Sequence, residues 1–282
     1  MADARRCLGS SLSWFVLERH LTDGQRPPDL IVLVEGDAGR AALRAHAAAP
    51  PSIRRLAEAW VTPNSPLFPL VTFTFEFDAG SSGAPVVFAA LQPAVGVRPP
   101  PEFLDAALPH FLALAETEVA ASLSPILAAM PERSYAVHVG SLRPRGAPGV
   151  RLVASVFRPR IGEFLTGAGW PGDIPRALEL AGALGANAGW MNVHLDAGAD
   201  VGPRLGLEVF YPGGPGRDAR WDPALQFLER EAAPQADALR GLGGWYRSTG
   251  RTLRMIGVKL VIEPDGTLRG KAYLGCRAIP SR

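Results

Sequence analysis

Alternation of apolar and polar residues predicts most of the regular structure in this chain. The clearest segment is 70–78, LVTFTFEFD, in which every second residue is apolar and the residues between are mostly polar. Successive side chains of a β-strand point to opposite faces, so the pattern predicts a strand with one apolar and one polar face. Thr74, Glu76 and Asp78 lie on the polar face.

Strands of this kind occur in pairs, and helical patterns lie between the pairs. The four predicted pairs are 70–78 with 84–91, 134–142 with 150–158, 190–196 with 204–211, and 255–262 with 267–276. Residues 29–35 form a further apolar strand, and residues 10–22 fit either a short helix or a strand. Apolar residues at helical spacing predict helices at 38–48, 51–60, 102–130 with a break near Pro125, 161–169, 173–184, 221–230 and 235–246. Asp173 is the predicted N-cap of its helix.

The last strand pair carries an unusual polar face. Its turn, 263–266 or EPDG, combines a proline that fixes φ with residues that tolerate the left-handed conformation. Arg269, Lys271 and Tyr273 share one face of the second strand, and Lys259 stands on the minority face of the first. Three cations and a phenol therefore project from one side of a hairpin whose other side is apolar.

The strand pairs and helices form a repeat of roughly 60 residues, a period above that of typical solenoids. Strand pairs covered by helices on one side build one antiparallel sheet with a helical coat. We therefore predict an α+β fold with a single domain, 1–282, in which repeated ββαα units close into an antiparallel β-barrel with helices outside. The alternative is an open sheet whose polar face is solvated.

Closure of the sheet would turn the polar strand faces into a lumen. These faces mix histidine, asparagine, phenylalanine and small residues with single charges, a composition typical of a polar lumen or large pocket. The candidate lumen residues outside the last pair are Glu76, Asp78, His138, Arg151, Asn192, His194, Arg204, Glu208 and Phe210.

Composition narrows the functional classes without choosing among them. The chain is 47% hydrophobic and 20% charged with a net charge of +2, which is typical of a globular protein and does not favour nucleic-acid binding. Its two cysteines, Cys7 and Cys276, support neither a disulfide framework nor a zinc cluster. No apolar run approaches the roughly 20 residues that span a bilayer. We expect a cytoplasmic monomer with no membrane partner.

The order of elements, together with two short motifs, resembles the aromatic prenyltransferases of the αββα type, whose fold is called the PT barrel. The motif Arg269-x-Lys271-x-Tyr273 is similar to the Arg-x-Lys-x-Tyr strand signature of indole-prenylating members. The segment 74–77, TFEF, lies in the strand pair where those enzymes carry a glutamate that engages the acceptor. The resemblance covers most of the chain, from about residue 29 to the end.

This resemblance implies a prenyl diphosphate donor and an aromatic or peptide side-chain acceptor, in natural-product biosynthesis that includes ribosomal peptides. Arg269, Lys271 and Tyr273 would hold the diphosphate and shield the allylic cation. Lys259 lies on the same lumen face, and Arg151 and Arg204 could join from neighbouring strand pairs, since cations stabilise a diphosphate leaving group.

The acceptor side of the predicted site requires a base and aromatic faces. Glu76 is the predicted base, followed by Asp78, Glu208 and His194. Phe210 and Phe157 are candidates to assist Tyr273 by cation–π attraction. His138 and Asn192 complete the candidate lumen. No cofactor is required, although Mg²⁺ is an alternative to lysine and arginine for neutralising the diphosphate.

Three other interpretations remain open from the residues alone. The cations could form a structural ion network with Glu76, Glu208 and Asp196. A non-catalytic protein could use the basic lumen to bind an anionic ligand or a peptide. A metal-dependent hydrolase could use His138, His194 and Asp196 as ligands.

Overall fold

Ten strands form a closed antiparallel β-barrel in the computed structural model of this protein. The structure describes residues 14–23, 26–44, 51–79, 85–91, 100–117, 121–147, 149–211, 214–232 and 252–278. Each strand pairs with its neighbours in sequence, and the first strand closes the barrel against the last. The predicted architecture is therefore confirmed, and the alternative of an open sheet is wrong.

The strands follow the predicted pairs closely. They are β1 Trp14–His20, β2 Asp29–Glu35, β3 Thr72–Phe77, β4 Val86–Ala89, β5 Tyr135–Ser141, β6 Val150–Phe157, β7 Trp190–Ala197, β8 Val201–Phe210, β9 Thr252–Ile262 and β10 Leu268–Ala278. The ambiguous segment 10–22 thus contains a strand, β1, which pairs with both β2 and β10.

The helices lie in the connections between strand pairs. They are α1 Gly36–Arg44, α2 Pro51–Val61, α3 Pro101–Leu114, α4 Leu123–Ala128, α5 Ile161–Gly167, α6 Ile174–Leu184 and α7 Trp221–Glu231. Asp173 caps α6 as predicted, because its side chain accepts a hydrogen bond from the Arg176 N–H at 3.0 Å. The helix predicted at 235–246 lies outside the described residues.

One predicted helix is divided at a different place from the expected one. The segment 102–130 breaks between α3 and α4, whereas Pro125 lies inside the first turn of α4. A first-turn proline is tolerated because its missing N–H has no partner within the helix. Helix α3 ends instead at Leu114, and Glu116 follows with a left-handed φ of +55° that lets Thr117 N–H donate to the Leu112 carbonyl at 2.9 Å.

The hydrophobic core lies between the outer face of the barrel and the helices. Strand residues such as Phe73 and Leu207 pack there with helix residues such as Phe111 and Phe164, and all four are at most 1% exposed. The opposite strand faces point into the lumen, as the alternation predicts. None of the described helices is long and apolar enough to cross a membrane.

The two ends of the barrel differ in their connections. Short loops join β1 to β2, β3 to β4, β5 to β6, β7 to β8 and β9 to β10 at one end, which we call the hairpin end. The connections that contain the helices cross at the other end, which we call the helix end. This asymmetry follows from the ββαα repeat and gives the lumen two chemically distinct ends.

Replacing Phe164 by alanine should destabilise the protein, because this ring on α5 is 0% exposed in the layer between barrel and helices. We expect a loss of about 3–5 kcal/mol in the free energy of unfolding, measured by urea titration. Leu178→Ala on α6 is the matched control, because Leu178 is 41% exposed and should cost about 0.5 kcal/mol. Equal losses in the two variants would contradict this packing.

Candidate functional site

A cavity of about 240 Å³ occupies the lumen, and all ten strands contribute to its wall. Its lining combines apolar side chains with polar and charged ones. The apolar members are Val16, Ile31, Leu33, Phe88, Val153, Phe210 and Met255. The polar members are Glu18, Thr74, Glu76, His138, Arg145, Arg151, Asn192, His194, Glu208, Lys259, Lys271 and Tyr273.

Cations concentrate at the part of the lumen nearer the hairpin end. Lys259 on β9 lies directly opposite Lys271 on β10, and both side chains line the cavity. A small recess beside them is also lined by Arg151 and Arg204, with Asp196 and His194 completing its polar wall. The β9–β10 register therefore brings together the two lysines that the sequence placed on one face.

Lys271 forms an ion pair with Glu18, a residue of β1 that was not among the predicted site residues. Glu18 is only 5% exposed. Burial would raise the pKa of Glu18, but the charges of Lys271 and Lys259 outweigh burial and lower it to about 2. Glu18 is therefore a carboxylate at neutral pH and compensates the charge of Lys271.

Lys259 belongs to a hydrogen-bonded chain that crosses three strands. Its Nζ lies 3.0 Å from His194 Nδ1, and His194 Nε2 lies 3.1 Å from Glu208 Oε2. When Lys259 is protonated, Nζ donates to Nδ1, so the imidazole hydrogen is on Nε2 and is donated to Glu208. Asn192 Nδ2 donates to the same Glu208 oxygen at 3.0 Å.

Burial controls the protonation of this chain. Burial and the charge of Arg151 lower the pKa of Lys259 to about 7. Burial and the charge of Lys259 hold the pKa of His194 well below its usual value, so His194 is a neutral link at physiological pH. Burial raises the pKa of Glu208. An anionic ligand beside Lys259 would favour the charged form of this lysine.

Two arginines from β6 and the β5–β6 loop bind carboxylates at the hairpin end. Arg151 makes a bidentate pair with Asp196, with Nε–Oδ1 at 2.6 Å and Nη2–Oδ2 at 2.8 Å. Arg145 donates to both carboxylate oxygens of Asp78, at 2.9 and 2.6 Å, and to Glu76 Oε2 at 3.0 Å. Arg145 thus ties β3 to the loop and closes this side of the cavity.

Glu76 faces the cavity beside Thr74 on the same strand face. Burial and the charge of Glu18 raise the pKa of Glu76, although Arg145 acts in the opposite direction. A raised pKa makes the ionised form of a carboxyl a stronger base. The Thr74 hydroxyl is buried without a hydrogen-bond partner among the described residues, so it is available to a ligand in the cavity.

Tyr273 lies where the charged and apolar walls of the lumen meet. Its side chain is 6% exposed and packs with Val16 and Ile31. Burial and the charge of Glu18 raise the pKa of the phenol well above its usual value, so Tyr273 is neutral and presents its ring and hydroxyl to the cavity.

The remaining predicted residues lie around the cavity and outside its lining. Arg269 and Arg204 both contact Glu263, and the Arg269 side chain is 58% exposed. Asp78 is held by Arg145. Phe157, a candidate shield for the cation, is 39% exposed at the helix end. Alternation along a strand identifies the correct face, but it does not tell how far along the lumen axis a residue lies.

Among the described residues, His138, His194 and Asp196 do not come close enough together to share a metal ion, as the metal-hydrolase interpretation would require. His194 contacts Lys259 and Glu208, Asp196 is bound by Arg151, and His138 packs edge-on against Phe88 with ring centroids 6.5 Å apart. Burial lowers the pKa of His138 to about 4.

Within the described ranges, the side chains that come close enough to share a metal are Glu18, His20 and Asp29. Lys271 already pairs with Glu18, and Arg26 Nη2 lies 3.2 Å from Asp29 Oδ2. His20 Nε2 itself contacts Asp29 Oδ2 at 3.0 Å. Two cations beside these carboxylates oppose a divalent ion, so the group does not fit a resident Mg²⁺ or other metal.

Glu18, Thr74 and Arg145 were missing from the predicted site, each for a different reason. Glu18 lies in the segment that fitted either a helix or a strand, so its face was undefined. Thr74 was placed on the correct polar face, but its free hydroxyl depends on its neighbours. Arg145 lies in a short 3₁₀ turn, Arg143–Arg145, where no periodic pattern predicts direction.

No family model matches this chain, and no curated protein matches it. Solved structures that are similar to it include the following two. One is 5-dimethylallyltryptophan synthase from Streptomyces coelicolor, with 16% identity and a TM-score of 0.49, over 93% of this chain and 80% of that chain. The other is the synthase of the same organism in complex with DMASPP and Trp, with 16% identity and a TM-score of 0.45, over 93% and 78%.

Replacing Glu18 by glutamine should destabilise the protein by about 3 kcal/mol at neutral pH, because Lys271 would be left buried without its counterion. The pKa of Glu18 falls from 4.5 to about 2 on folding, so its stabilisation is complete above about pH 4.5 and is lost as the pH falls toward 2. Urea unfolding of both proteins should therefore show a difference that shrinks with acidification.

Glu163→Gln provides the matched control for this pH series. Glu163 pairs with Arg160 on the surface and is 52% exposed, so its removal should change stability by about 0.5 kcal/mol. A Glu18→Gln effect as small as that of the control would show that the Glu18–Lys271 pair does not stabilise the fold.

Proposed function

We propose that this chain is a prenyltransferase that moves an allylic group from a prenyl diphosphate to an electron-rich aromatic acceptor inside the barrel. The observation that carries the proposal is one lumen cavity whose wall contains lysine and arginine side chains nearer the hairpin end and apolar or aromatic side chains such as Leu33, Phe210 and Met255 nearer the helix end. A prenyl diphosphate has a matching division, because its diphosphate is highly charged and its prenyl chain is apolar.

The diphosphate would lie beside Lys259, Lys271 and Arg151, near the hairpin end. These groups supply point charges and a planar guanidinium for the phosphate oxygens. The prenyl chain would extend toward the helix end, along the wall that contains Leu33 and Met255. The nearby carboxylates compensate the cations, and the pKa of Lys259 of about 7 leaves this lysine able to take up a proton when the diphosphate binds.

The proposed reaction begins when the allylic C–O bond breaks and the diphosphate leaves with the electron pair. Lys259, Lys271 and Arg151 stabilise the charge that develops on the leaving oxygen, since fixed cations in a site with little water need no reorganisation. The Tyr273 ring lies beside this region and would stabilise the allylic cation through its π face, by about 2 kcal/mol when desolvated.

A carbon of the acceptor ring then forms a bond to the allylic carbon and loses a proton. Glu76 is the proposed base, because it faces the cavity and its raised pKa strengthens its ionised form as a base. Glu208 is the second candidate, because its Oε2 has two hydrogen-bond partners, Asn192 and His194, whereas Glu76 Oε2 has one, Arg145. The proton therefore moves from the acceptor to a carboxylate, and diphosphate and prenylated acceptor are released.

Metal is not part of this proposal. The carboxylates that line the cavity, among the residues that the structure describes, accept hydrogen bonds from protein donors: Glu18 from Lys271, Glu76 from Arg145 and Glu208 from Asn192. Neutralisation of the diphosphate is assigned to lysine and arginine side chains instead. Biosynthesis of an aromatic natural product, including one made from a ribosomal peptide, is the context that this chemistry fits.

Incubation with dimethylallyl, geranyl and farnesyl diphosphates and a panel of indole, phenol and tryptophan-containing peptides tests the proposal. We expect mass spectrometry to detect an acceptor with one added prenyl group and a matching release of diphosphate. If no combination of donor and acceptor gives a prenylated product or releases diphosphate, the transferase proposal is wrong and the protein is better interpreted as a non-catalytic binding protein.

In the same assay, Glu76→Gln should lower kcat about 10²–10⁴-fold, because the amide cannot accept the proton. The matched control is Asp78→Asn, which also removes a carboxylate partner of Arg145 but does not alter the cavity lining. Losses of similar size in both variants would assign the effect to the Arg145 ion pairs and would remove Glu76 as the base.

Lys271→Ala should weaken binding of inorganic pyrophosphate roughly tenfold to hundredfold, because it removes a charge-assisted contact from the enclosed site. Arg269→Ala is the matched control on the same face of β10, because Arg269 lies outside the cavity and pairs with Glu263. It should change the Kd by less than about threefold. Calorimetry measures the pyrophosphate Kd of both variants. A larger loss of affinity in Arg269→Ala than in Lys271→Ala would place the diphosphate outside the lumen.

A further inference from the structure

Three aromatic side chains at the helix end form a continuous row across adjacent strands. Phe157, the last residue of β6, lies directly opposite Trp190, the first residue of β7. Asn192 lies opposite Glu208, and continuing this register by two residues places Trp190 across from Phe210, the last residue of β8. We call Phe157, Trp190 and Phe210 the aromatic strip.

The aromatic strip is exposed, although large apolar side chains elsewhere are mostly buried. Its members are 39%, 40% and 37% exposed, and the other exposed large hydrophobic residue in the described part of the chain is Leu178 on α6. The ring centroids of Phe157 and Trp190 are 5.6 Å apart, and the Tyr135 ring of β5 also lies 6.2 Å from Trp190. Three of the four exposed large apolar residues in the described part of the chain therefore lie at the helix end of the barrel.

The strip is continuous with the lumen through Phe210, which also lines the cavity. Phe210 lies opposite Gly257, and Gly257 lies opposite Tyr273. A Cβ at Gly257 would come within 2.3 Å of Phe210 Cε1, so the ring lies flat over the glycine instead of crossing the opening. The aromatic surface therefore leads from the exposed rim toward the proposed reaction position at Tyr273.

Phe157 and Trp190 lie outside the cavity lining, so an acceptor confined to the cavity of about 240 Å³ would not contact them. Strands are about 4.8 Å apart, so the strip spans about 10 Å, which matches three residues of an extended peptide. That length is too short for a globular partner, because a stable interface buries about 800 Å² on each side. The closed barrel offers no free strand edge, so the aromatic rings must provide the contact.

We propose that the aromatic strip anchors a peptide acceptor outside the lumen while one aromatic side chain of that peptide enters the cavity. This inference rests on the proposed function, since it names the acceptor class of the same site. Aromatic or other large apolar residues next to the modified residue would pack on Trp190 and Phe157. The strip therefore selects peptides by the residues that flank the reacting ring.

Two capped tripeptides test the anchor by calorimetry, which does not require turnover. Phe-Trp-Phe and Gly-Trp-Gly carry the same ring for the lumen and differ only in the flanking side chains. The wild-type protein should bind Phe-Trp-Phe about tenfold more tightly, in line with the contribution of a buried aromatic contact. In Trp190→Ala and in Phe157→Ala this ratio should fall toward one.

Leu178→Ala is the matched control, because it removes an equally exposed apolar side chain from α6 and should keep the tenfold ratio. A thermal melt verifies folding of each variant, and Trp190→Phe provides a conservative substitution that should retain most of the ratio. Equal binding of the two peptides by the wild-type protein, or an unchanged ratio in folded Trp190→Ala and Phe157→Ala, would overturn the inference.

The experiments distinguish failure of the peptide anchor from failure of the proposed prenyltransferase function. If the protein binds pyrophosphate and prenylates free indole but does not distinguish the peptides, the anchor is wrong and the proposed function stands. If it distinguishes the peptides but forms no adduct with any prenyl diphosphate, the strip is a peptide-binding site and the transferase proposal is wrong.

Discussion

The closed barrel places two lysine side chains opposite each other on its inner face. Lys259 and Lys271 are direct cross-strand neighbours, and residues in such positions have Cβ atoms only about 5 Å apart. Their ammonium groups bind different partners, because Lys259 Nζ contacts His194 on β7 and Lys271 Nζ contacts Glu18 on β1. Glu18 compensates the charge of Lys271, while burial and the charge of Arg151, with a smaller contribution from Lys271, lower the pKa of Lys259 to about 7.

This compensation connects strands that are far apart in sequence. Glu18 of β1 bonds to Lys271 of β10 across the seam where the first and last strands close the barrel, whereas Glu208 of β8 bonds to the neutral His194 on the adjacent strand β7. Buried ion pairs such as Lys271 with Glu18 are poorly suited to stabilising a fold, since replacing a buried ion pair by apolar residues often increases stability. Their cations are well suited to receiving an anion, which supports a binding or catalytic use of the lumen.

Glycines on the lumen face keep the opening wide enough for that use. A Cβ at Gly206 would lie 2.6 Å from Lys259 Cε, and a Cβ at Gly257 would lie 2.3 Å from the Phe210 ring. The missing side chains let Lys259 and Phe210 lie along the wall instead of across the lumen. One member of the cationic region, Lys259, and one member of the aromatic strip, Phe210, thus each rest on a glycine of a neighbouring strand.

Strand alternation determined which faces of the chain are apolar and which are polar, because side-chain direction in a strand has a period of two that is local in sequence. It predicted the barrel and placed Glu76, His194 and Lys271 correctly on the lumen face. Closure of the barrel decided how far along the barrel axis these side chains lie and which partners they contact. The reason is that strand register and stagger depend on strands that are distant in sequence. That is why Arg269 lies at the rim, why Glu18 and Arg145 entered the site unpredicted, and why Lys271 acquired its counterion from the opposite end of the chain.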